Sequence, residues 1–183
     1  MSVIDQLVKK YTSFARLPWS NSIAGPERVW MLIYAHQDER RLRAKIGEFE
    51  IATKNAGHDW QLLDLTNCFG EWIAEQEYRE SYFKNPADMS MVLDVFGKHA
   101  ESVVIERLEG ADENTVVGVM GLGSLFGLYS VSALLEGVNT EIKGRLLAFF
   151  PGVRDGTNYR LLDAKDGFNY MAIPIDVSGE DEV

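Results

Sequence analysis

The chain has 183 residues, of which 46% are hydrophobic and 11% aromatic, enough for one buried core and too many for general disorder. Eighteen Lys and Arg face 28 Asp and Glu, a net charge of −10. That balance argues against direct nucleic-acid binding, which needs clustered cations to displace phosphate counterions, and against docking on an anionic membrane surface. The single cysteine, Cys68, excludes an internal disulfide and a Cys-ligated metal site, and three dispersed histidines (His36, His58, His99) argue against a metal cluster. The compartment these features imply is the reducing cytoplasm.

In chain order, Ser2 to Lys10 reads as a short helix with Val3, Leu7 and Tyr11 on one face. It is too polar for a secretory signal. Pro18 to Pro26 reads as a loop. Val29 to Tyr34 is apolar throughout, the pattern of a strand covered on both faces. Asp38 to Ala56 has Leu42, Ile46, Phe49 and Thr53 at helical spacing, with Glu39–Arg43 and Glu50–Lys54 pairs outside and Gly57 available for a left-handed cap. A second strand is expected over Trp60–Leu65 and a helix from about Asn67.

Glu77 to Pro86 has no clear assignment. From Pro86 to Leu108 a helix is expected, with Met89, Val92, Phe96, Ala100, Val103 and Arg107 recurring every three or four residues. Thr115 to Leu135 is uncharged and long enough to span a bilayer, but its glycines and serines fit a strand (Thr115–Met120), a loop (Gly121–Ser124) and a helix (Leu125 onward) better. Arg145–Phe150 reads as a strand ending at Pro151-Gly152. Asn158–Leu162 and Tyr170–Ile175 read as short strands.

This alternation specifies an α/β fold: an open, mostly parallel sheet of about five strands with helices on both faces. One domain over 1–177 is expected, with helix and loop 1–27 as an extension and an acidic flexible tail at 178–183. Ligand-facing loops then lie at the carboxyl ends of the strands, where His36, Asp64, Ser124, Arg154 and Asp155 can approach one edge.

No motif there is complete. The loop around Gly121, Gly123 and Ser124 follows a strand, so its backbone N–H groups can hold an anion. It lacks the Gly-Lys-Ser/Thr of a Walker loop, and Phe126 stands where a dinucleotide fingerprint or a nucleophile elbow needs glycine. A tight turn packing helix on strand explains the glycines better. Arg154, Asp155, Asn158 and Arg160 make the most polar loop beside the sheet, either an anion clamp or a local turn network. His36, Asp38 and Glu39 are too close in sequence for one tetrahedral metal site, and the two acids suit the first turn of a helix. Cys68, near a helix start, lacks a paired base and reads as a buried thiol. Tyr78, Arg79, Tyr82 and Phe83, interleaved with charges, have the composition of a protein-interface hot spot or of a helix packed on the domain's flank.

The run Gly144-Arg-Leu-Leu-Ala-Phe-Phe-Pro-Gly152, then Asp155-Gly-Thr-Asn-Tyr-Arg-Leu-Leu-Asp163 and Asp166-Gly-Phe-Asn-Tyr170, with Val119-Met-Gly-Leu-Gly-Ser-Leu-Phe126 upstream, resembles the BrxB family of BREX (bacteriophage exclusion) defence systems. The strand ending at Tyr34, the Glu39-Arg-Arg helix and Leu63-Asp64-Leu65 extend the resemblance over almost the whole chain. It implies a small cytoplasmic component encoded beside an ATPase, an adenine-specific DNA methyltransferase and a PglZ-type protein of the alkaline-phosphatase superfamily. It brings no catalytic residues and no cofactor. The expected function is a non-catalytic assembly subunit, with the PglZ-type protein as its direct partner. The alternative is a nucleotide- or phosphate-binding enzyme or sensor at the carboxyl edge.

Overall fold

The computed structural model describes residues 1–177, so the expected tail at 178–183 lies outside the described residues. The helices are α1 (Val3–Ala15), α2 (Glu39–Ala44), α3 (Ile46–Asn55), α4 (Cys68–Ala74), α5 (Arg79–Lys84), α6 (Leu93–Glu109) and α7 (Val131–Val138). The strands are β1 (Val29–Tyr34), β2 (Asp59–Asp64), β3 (Thr115–Met120), β4 (Arg145–Asp155), β5 (Asn158–Leu161), β6 (Phe168–Asn169) and β7 (Ile173–Ile175). No helix among the described residues is long and apolar enough to cross a membrane.

The central layer runs β2-β3-β4-β1-β7, each neighbouring pair parallel. Every residue of β1 and β3 is buried, which is why β1 reads as an apolar run and β3, apart from Thr115 and Gly118, is made of Val and Met. Alternation splits each strand between two cores. Val29, Met31 and Ile33 of β1 join the core built with α4, α6 and α7, whereas Trp30, Leu32 and Tyr34 join the one built with α1, α2 and α3. The α2–α3 crossover carries the chain from β1 outward to β2, and the later crossovers return it on the other face. β1 and β4 are neighbours whose onward connections run in opposite directions. Their carboxyl ends therefore form a topological switch point, where sheets of this kind open a crevice.

Several expectations need correction. Helix α1 extends to Ala15 and buries Ile4 with Leu7 and Tyr11, leaving Val3 exposed. Its start is fixed by reciprocal bonds: Ser2 Oγ accepts from the Asp5 N–H at 3.2 Å, and Asp5 Oδ2 accepts from the Ser2 N–H at 2.9 Å. The helix expected over 38–56 breaks at Lys45, although the stripe of Leu42, Phe49 and Thr53 is buried and Gly57 caps with φ +88°. Helix α6 starts at Leu93 and turns Val104 and Leu108 inward, with Arg107 outside. After β3 a short 3-10 turn, Leu122–Leu125, precedes α7, whose N-cap is Ser130.

Pro151-Gly152 does not end β4. Pro151 pairs in register with Tyr34 at the end of the parallel layer, and the strand continues as an antiparallel hairpin with β5. The missing proline N–H falls where β4 changes partners, so no ladder bond is lost from the sheet interior. A Cβ at Gly152 would lie 2.1 Å from the Arg160 carbonyl oxygen, so only glycine permits this approach. The β5–β6 hairpin raises the strand count to seven without adding to the five-stranded parallel layer.

Candidate functional site

The switch point carries a cavity of about 270 Å³ lined by His36, Glu39, Arg43, Gly121, Ser124 and Leu162 among others. A second, of about 370 Å³, shares His36 and Leu162 and reaches Arg160 and Asp163. The glycine loop thus reaches the carboxyl edge, as its position after β3 requires. Gly121 takes φ +81°, and a Cβ there would stand 2.5 Å from the Thr66 nitrogen. Ser124 Oγ lies 2.6 Å from the Gly121 carbonyl oxygen and 3.1 Å from that of Leu65, donating its one proton to that pair. These bonds lock the loop against the end of β2.

Arg43 dominates the floor of the cavity. Its guanidinium reaches Glu39 at 2.7 Å, Asp64 at 3.0 Å and the Thr66 hydroxyl at 2.7 Å. Glu39, in the first turn of α2 as expected, also accepts from the Tyr34 hydroxyl, so it bridges strand and helix. Burial, reinforced by Glu39, pushes the Tyr34 phenol far above its ordinary range. Burial would raise the Asp64 carboxyl, but bonds from Thr66 and Arg43 outweigh it and hold Asp64 below its usual value. Two carboxylates share one guanidinium, leaving this network with a net negative charge. Such a floor disfavours a phosphate or other anion.

The remaining polar residues are placed differently from the expectation. Arg154 turns away from the cavity: its Nε donates to Asp176 Oδ2 at 2.7 Å and its NH1 to the Gly156 carbonyl at 2.8 Å. Asp155 and Asn158 face each other at the tip of the hairpin. Of the four, Arg160 alone lines the second cavity. Arg43 was read only as the outer partner of Glu39 and Leu162 only as a strand end, and neither they nor Thr66 stood among the expected site residues. The Asp64-x-Thr66 spacing was the available signal, since the Thr66 N–H donates to Asp64 Oδ1 at 2.9 Å in a local turn. Leu162 has φ +53°, unusual for a bulky residue, and is anchored by its N–H to the Pro151 carbonyl at 2.8 Å.

Cys68 is buried, and that burial, with the charge of Glu71 second, pushes its thiol above the ordinary value. The helix-start location therefore does not activate it. Asp38 pairs with Arg41 at 2.7 Å. His58 stacks on Trp19 with centroids 3.7 Å apart and binds Asn114 through Nδ1 at 2.7 Å. His99 is half-buried on α6. Among the described residues no three His, Cys, Asp or Glu side chains converge as a metal site.

The aromatic segment forms a ledge outside α4 and α6. Tyr82 and Met89 pack inward, and α5 rests on the 3-10 turn Pro86–Met91. Tyr78, Phe83 and Met91 are 65%, 59% and 84% exposed. Arg79 is exposed and donates to the Ala74 carbonyl at 3.0 Å, closing the turn into α5. Three large apolar side chains within fourteen residues contribute little to folding where they stand.

In comparisons with known proteins, no family model, no curated protein and no solved structure matches the chain.

Proposed function

We propose that the protein is a non-catalytic assembly subunit that docks on larger proteins, of the kind its resemblance to the BrxB family implies. Under this reading it works in the cytoplasm within a BREX-type defence system, with the PglZ-type protein as its direct partner. The exposure of Tyr78 and Phe83 carries the proposal. Aromatic rings left in water beside a well-filled core gain most when a second protein covers them. The carboxyl-edge groups add support, because Ser124, Arg154 and Arg43 are each committed to partners within the chain.

The alternative, a nucleotide or phosphate sensor at the carboxyl edge, draws on the cavity at the switch point and the left-handed Leu162 beside it. Its weakness is the negative network beneath that cavity. Mixing the purified chain with each BREX component separates the readings. The assembly proposal expects co-elution with at least one component, the PglZ-type protein first. It is overturned if no component binds while a nucleotide raises the melting temperature. A mobility-shift assay at physiological salt should show no DNA complex for the chain alone.

A further inference from the structure

Around the ledge the charge is one-sided. Residues 71–94 carry six carboxylates (Glu71, Glu75, Glu77, Glu80, Asp88 and Asp94) and two cations (Arg79 and Lys84). All six acids are exposed, and among the described residues no ion pair engages any of them. Some acids elsewhere are matched, such as Glu39 and Asp64 with Arg43, Glu50 with Lys54, Glu101 with Lys98 and Asp176 with Arg154. Asp59, Glu109 and Glu113 at the far end of the sheet, by contrast, have no ion pair among the described residues and no large exposed aromatic beside them in sequence. What sets residues 71–94 apart is that exposed aromatics and exposed carboxylates without an ion pair coincide on one segment. We propose that this ledge is the docking surface for a basic amphipathic helix of a partner protein, whose apolar face covers Tyr78, Phe83 and Met91 while its Lys and Arg side chains meet the surrounding carboxylates.

The physical logic is complementarity of two kinds. The apolar side chains supply contact area once water leaves, and the acidic surround raises the association rate of a cationic partner and excludes acidic ones. A second copy of this chain fits poorly, because it brings a like-charged surface. The inference rests on the assembly reading and adds the location and chemistry of the contact.

A synthetic 18-residue Leu/Lys amphipathic helix is the probe, titrated into the full chain by fluorescence anisotropy. Tyr78→Ser with Phe83→Ser should weaken binding at least tenfold. Glu75→Gln, Glu77→Gln and Glu80→Gln together should weaken it about tenfold and flatten its salt dependence. A control triple at the far end of the sheet, Asp59→Asn, Glu109→Gln and Glu113→Gln, removes the same charge and should change affinity less than twofold. Equal loss in both triples would mean diffuse attraction to an acidic protein and would overturn the proposal. So would a Ser/Lys peptide, lacking the apolar face, binding as tightly. The substituted ledge residues are exposed, and circular dichroism melts confirm folding of each variant. If Tyr78→Ser/Phe83→Ser still co-elutes with a BREX component, the assembly reading stands and this surface assignment falls.

Discussion

Arg154 and Asp176 meet at 2.7 Å and join the overhanging end of β4 to the residue that follows β7. Both are mostly shielded from water, and the guanidinium also holds the Gly156 carbonyl of the hairpin turn. The residue that looked most like an anion clamp is therefore a strut closing the edge of the sheet.

Removing that partner should expose the difference. Asp176→Asn leaves a shielded cation without its carboxylate and is expected to lower stability by about 1–3 kcal/mol. Urea unfolding should show a lower midpoint with an unchanged slope. An unchanged midpoint would mean that the pair contributes nothing.

At the opposite end of the sheet Arg145, only 3% exposed, has no carboxylate partner among the described residues. Its guanidinium lies 4.9 Å from the Trp19 ring centre and donates to the Ser20 and Gly144 carbonyls. Burial, with nearby Arg28 second, lowers its pKa. Trp19→Ala removes the stacked face that compensates this desolvated charge and should destabilise by about 2–3 kcal/mol, read by chemical unfolding. Trp19→Phe, which keeps an aromatic face, should recover a substantial part.

Two glycines separate strain from crowding. Gly127 has φ +74° with open space around it, so Gly127→Ala should cost about 1–2 kcal/mol. Gly121 has a similar φ but faces the Thr66 backbone at 2.5 Å, so Gly121→Ala should cost about 2–4 kcal/mol as the loop is displaced. Equal melting temperatures for the two variants would contradict the tight seating of the glycine loop.

Glu101, buried on α6, accepts from Lys98 at 2.8 Å and from the Tyr129 hydroxyl at 2.7 Å. Burial alone would raise its carboxyl, but these bonds prevail and hold it below its ordinary 4.5. A depressed folded pKa adds stability above the unfolded value that disappears as pH falls through the folded one. The melting-temperature advantage of the natural protein over Glu101→Gln should thus be full near neutrality and shrink below pH 4.5. Burial, then Glu101, pushes Tyr129 up to about 12, so its own contribution fades only above pH 10. An advantage that grew on acidification would contradict this sign.

What the sequence showed and hid follows from where each signal originates. β1 was legible to the residue because a strand covered on both faces leaves a continuous apolar run, and β3 because its Val-rich stretch stops at the Gly121 loop. β4 was cut short because Pro-Gly normally stops a strand, and a change of partners from Tyr34 to Leu161 is a tertiary fact. Helical period alone left the inner face of α6 uncertain by one position, so Arg107 stood in for Leu108. In the site, the Glu39–Arg43 pair was visible as a local spacing. Its link to Asp64, twenty-one residues farther on, depended on strand order and was not. The exposure of Tyr78 and Phe83 was equally undecided, since composition does not say which side of a helix meets the core.

Hydrogen exchange on the chain, with and without its co-eluting partner, tests the central claim most directly. Protection confined to residues 78–95, with the glycine loop 121–124 and the hairpin 151–162 unchanged, is the predicted result. Protection at the glycine loop and hairpin with none on the ledge would contradict it.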